Sequence, residues 1–75
     1  MWNKNQIREL KEAAYHSPDE DEIREHLTAL NVHLNNFERQ PLVHKKKEIW
    51  KEVEREADYI KARLASLNVE WQPQN

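Results

Sequence analysis

The sequence predicts an all-α domain: an antiparallel helical hairpin, with helices over about 18–39 and 42–71, and a short N-terminal helix over about 5–16. Three observations predict it. Apolar residues recur at alternating spacings of four and three, the helical seam period. Glycine is absent from all 75 residues, which suits helices joined by short turns and disfavours hairpin strands and phosphate-cradling loops. Prolines fall at 18, 41 and 73, where the periodic stretches begin or end.

The first helix carries Ile7, Leu10 and Ala14 on one face, and Asn3 or Asn5 is placed to cap it. At about 12 residues it is marginal alone and must dock. The second begins at "SPDE". Ser17 suits the N-cap, Pro18 the first helical position, and Glu20 completes a capping box. Acidic residues 19–22 fill the first turn, where the helix dipole favours negative charge. Ile23, Leu27, Leu30, Leu34 and Phe37 form its seam. The next seam position is Pro41, so the helix breaks there.

The third helix has two interleaved seams, Val43, Trp50, Ala57, Leu64 and Trp71 with Lys46, Val53, Ile60 and Leu67. At about 29 residues and 1.5 Å rise it spans ~43 Å, longer than the second at ~30 Å. The first helix is expected to cover the overhang near Leu64, Leu67 and Trp71, either by extending the line of the second helix or by folding back as a third. The chain is thus one domain, 1–75, near the lower size limit for a single core. A homodimer with a four-helix core is the expected way to add buried area, so a three-helix bundle and a dimeric four-helix-type bundle both fit.

Composition narrows function. Charged residues make up 35% of the chain, mean hydropathy is −1.14, and no apolar run approaches the roughly 20 residues a bilayer requires. With no cysteine and no signal-like apolar stretch, a cytoplasmic, soluble protein without membrane contact is expected. The charge is unevenly spread: residues 18–40 hold six acidic against two basic side chains, and residues 41–75 hold six against seven.

No constellation points to catalysis. The carboxylates of the third helix interleave with Lys51, Arg55 and Lys61 on a solvated face, whereas acid–base work needs a cleft that separates pKa values. His26 and His33 are seven apart, not the four that a chelating helical pair requires, so no metal and no cofactor are expected. His26 is expected to face Glu56 across the hairpin.

Binding is the expectation that remains: a non-enzymatic regulator, adaptor or inhibitor that recognises a partner protein through a helical face. Trp2 and Tyr15, beside helix ends, and Ile49 and Tyr59, off the seam, are the candidate contacts. The stretch "HKKK" offers a second surface. Positive charge at a helix start opposes the dipole, and Lys46 falls on the seam itself. With Arg39, His44, Lys45, Lys47 and Lys51 it makes a basic tip able to make a few salt-sensitive phosphate contacts. Weak nucleic-acid binding is therefore the alternative. A structural subunit that assembles with itself is a second one.

Overall fold

The computed structural model describes residues 1–17 and 21–68, which form three helices: α1 (Lys4–Tyr15), α2 (Asp21–Arg39) and α3 (Val43–Ser66). Asn3, rather than Asn5, caps α1. Its Oδ1 accepts from the Gln6 amide at 2.8 Å, and Gln6 Oε1 accepts from the Asn3 amide at 3.0 Å. This reciprocal pair satisfies two donors that a helix start leaves open. Of the Ser17–Glu20 capping box expected for α2, Pro18 to Glu20 lie outside the described residues. Asp21 and Glu22 do occupy the first turn of α2.

Residues 40–42 make the hairpin turn. The Gln40 amide still bonds to the Asn36 carbonyl at 3.0 Å, and Pro41 then forbids another helical turn. Leu42 is the extended N-cap of α3 and provides no side-chain cap, so the lysine-rich start of this helix is stabilised from elsewhere.

The expected end of the third helix at 71 is corrected: α3 stops at Ser66. Asn68 adopts φ 62°, and its amide bonds back to the Ala65 carbonyl at 3.1 Å. In a chain without glycine, asparagine is the residue best able to hold this left-handed stop. The local stop overrides an apolar spacing that continues past it. Trp71 and Val69 lie outside the described residues. Replacing Asn68 with alanine is expected to lower stability by about 1 kcal/mol, because a β-carbon without a compensating side chain disfavours positive φ. Replacement by glycine should hold or slightly raise it. Urea midpoints of the two variants check this.

α1 folds back along the hairpin. Lys4 pairs with Glu38 near the end of α2 at 2.9 Å, and the Arg24 guanidinium near its start lies 5.9 Å from the Tyr15 ring. α1 is therefore antiparallel to α2. It lies along the hairpin instead of covering an overhang, and the shorter α3 leaves less overhang to cover. Ile7, Leu10 and Ala14 of α1 meet Ile23, Leu27 and Leu30 of α2 and Val53, Ala57, Ile60 and Leu64 of α3 in one buried cluster. The seams thus pack as their spacing indicates, except toward the turn.

Trp2 is the chief rearrangement of the sequence picture. It is 8% exposed and belongs to the core. Its amide donates to Glu54 Oε2 at 2.9 Å and its indole Nε1–H to Asp58 Oδ1 at 2.8 Å. The segment before α1 is thus pinned to the middle of α3. An exposed contact role for Trp2 does not fit this burial.

Candidate functional site

The helices differ in length, and the site follows from that. At about 1.5 Å per residue, α1 with 12 residues spans roughly 18 Å, against roughly 28 Å for the 19 of α2 and 36 Å for the 24 of α3. α1 cannot cover the whole trough between its partners. Below Trp2 the trough is filled. Toward the turn it is open, and the outermost seam residues stay accessible.

That open end is a groove of ≈ 580 Å³ whose apolar lining includes Met1, Phe37, Val43 and Trp50. Phe37 and Trp50 face each other from α2 and α3, ring centres 5.1 Å apart and planes tilted by 53°. Val43 is 67% exposed, and Leu42 beside it in the turn is 46% exposed. Residues placed on the seam by their spacing are here the floor and lip of a cleft.

The lysine on the seam has a structural reason. Lys46 is half-buried, and its ammonium donates to the Phe37 carbonyl at 2.8 Å while lying 4.4 Å from the Phe37 ring centre. One side chain from the start of α3 thereby ties up a carbonyl in the last turn of α2, where positive charge is favoured. Lys4 approaches the same ring at 5.5 Å. Glu38 is held below the ordinary carboxylate range by the hydrogen bond from Lys4, then by the charge of that ammonium. Loss of hydration opposes this, and the charge of Lys46 reinforces it. A lowered carboxylate pKa contributes stability above the unfolded-state value, and that contribution disappears as pH falls through the folded-state value.

Lys46→Met keeps the stem and removes the ammonium. The expected cost is about 1 to 2 kcal/mol, the range for a hydrogen bond with a charged donor at a half-exposed site, read from chemical denaturation. A midpoint equal to that of the unaltered protein would mean the bond contributes nothing.

The remaining basic candidates are displayed. Arg39, His44, Lys45, Lys47 and Lys51 are all exposed, and among the described residues none of them has an ion-pair partner. The candidate aromatic contacts do not converge. Tyr15 is 48% exposed and packs with Arg24, while Tyr59, 38% exposed, donates to Glu22 and stacks on His26 with centroids 3.8 Å apart. Ile49 is half-buried on α3. His26 meets Glu56 across the hairpin, Nδ1 to Oε2 at 2.7 Å, as their spacing indicates. This polar ladder of Glu22, Tyr59, His26 and Glu56 joins α2 to α3 and is already satisfied internally.

Among the described residues, no helix is long and apolar enough to cross a membrane. No family model, curated protein or solved structure matches the chain.

Proposed function

We propose that this chain is a non-enzymatic protein-interaction domain, and that its contact surface is the groove at the hairpin turn. The observation that carries the reading is the continuity of the core with the surface at this end: the seam that is sealed at Val53 and Leu30 reaches solvent at Val43 and Phe37. Accessible aromatic and aliphatic side chains in a concave setting are typical anchors for a partner's apolar residues. The basic rim gives such a contact orientation and speed.

A photo-crosslinking amino acid at Val43, with one at the exposed Glu25 as control, tests the reading in a cell lysate. The expected result is a discrete heterologous protein adduct from position 43 and none from position 25. Adducts only to nucleic acid favour the basic-tip alternative. Adducts only to a second copy favour a self-assembling subunit. Either outcome overturns the present reading.

A further inference from the structure

We infer that the occupant of the groove is an acidic amphipathic helix of about two to three turns, an inference that rests on the groove being a protein-binding surface. Three arguments support it. The first is shape. Val43, Lys47, Trp50, Lys51 and Glu54 line the groove at helical spacing on α3, and the same stripe continues to Asp58, where Trp2 is held. The groove is thus the unfilled continuation of the trough in which α1 lies. What fills the lower part of that trough is a helix, and the open part, from Val43 to Trp50, is ~10 Å long at helical rise. An apolar face repeating at i, i+3 or i+4, and i+7 fits that length.

The second argument is charge. The lining contains Lys4, Lys46, Lys47 and Lys51 but one carboxylate, Glu54, and that one accepts the Trp2 amide. Lys4 is paired with Glu38 and Lys46 with the Phe37 carbonyl, so Lys47 and Lys51, without an ion-pair partner among the described residues, are the charges left for a ligand. Lys45 and Arg39 stand near the same turn, and the uncapped start of α3 adds positive potential. Apolar floor and cationic rim together call for a ligand with an apolar stripe flanked by Asp and Glu.

Third, like charge also disfavours a second copy as the occupant. Two-fold pairing through this groove would set Lys47 and Lys51 of each copy against those of the other, which like-charge repulsion disfavours. Nor does the described chain present a matching segment elsewhere. The acidic start of α2 turns Ile23 and Leu27, 1% and 2% exposed, into its own core.

Selection of a displayed random 15-residue peptide library against the full chain tests this, with the double variant Lys47→Glu, Lys51→Glu as counter-target. Both substituted positions are exposed, and circular dichroism of the variant checks that it is folded. Enriched peptides are expected to carry net negative charge and apolar residues at i, i+3 or i+4, and i+7. Synthetic versions should bind the double variant at least tenfold more weakly, and lose affinity as salt rises. Enrichment of neutral or basic peptides, equal binding to the variant, or no enrichment overturns the inference. So does retention on phosphatidylserine vesicles or duplex DNA that exceeds peptide binding. A heterologous crosslink from Val43 combined with failure here leaves the protein-binding reading standing and removes only the acidic helix.

Discussion

Trp2→Ala is expected to lower stability by about 3 to 5 kcal/mol, the range for removing a large aromatic side chain from a core. For 75 residues the total is roughly 4 to 11 kcal/mol, so the variant should be partly unfolded under ordinary conditions. The size of the effect follows from what the indole does. It belongs to the buried apolar cluster, and its N–H adds a bond to Asp58 on the helix that the Trp2 main-chain amide already holds through Glu54. Trp2→Phe separates the two contributions: most of the burial survives, the hydrogen bond does not, and a loss nearer 1 kcal/mol is expected. Urea unfolding followed by far-ultraviolet circular dichroism measures both. An alanine variant that unfolds at the unaltered midpoint would return Trp2 to the list of surface contacts.

Leu10→Ala should cost about 2 to 5 kcal/mol, and it should do so unevenly. Leu10 is fully buried at the centre of α1, and α1 is too short to persist once undocked. Amide exchange is therefore expected to accelerate at least about thirtyfold in α1, the equivalent of 2 kcal/mol, and less in α2 and α3, which retain their mutual seam. Equal acceleration in all three helices would show instead that the domain opens as one cooperative unit.

Local signals and pairwise spacing were readable from the residues; relations set by length and by long-range docking were not. The seams from Ile23 to Leu30 and from Val53 to Leu64 were legible because a heptad period states which residues share a face. The same period placed His26 opposite Glu56. It was silent on the direction of α1, which depends on contacts 52 and 56 residues away in sequence. It was misleading at Asn68, where a backbone stop outranks an apolar pattern that runs on. Trp2 was hidden for a related reason: a residue outside every helix has no periodicity to reveal its burial. The groove had a signal that went unused. The first periodic segment is much shorter than the other two, so one end of their shared seam must lack a third helix. Lys46 on that seam marks the open end.

The bonds from Trp2 to Glu54 and Asp58 also set an order of events during synthesis. Residues 2–14 leave the ribosome before the α3 surface that will bury them exists. At roughly 5 to 20 residues per second, the 56 positions between Trp2 and Asp58 correspond to about 3 to 11 s. For that interval Trp2 lacks its native partners, and Ile7 and Leu10 lack the α3 side of the cluster that buries them. α2 emerges before α3, but the cluster around α1 is complete only once α3 is in place. The earliest-made part of the core is therefore the last to be enclosed, and a nascent chain stalled before residue 54 would display Trp2 to any chaperone that binds exposed aromatic side chains.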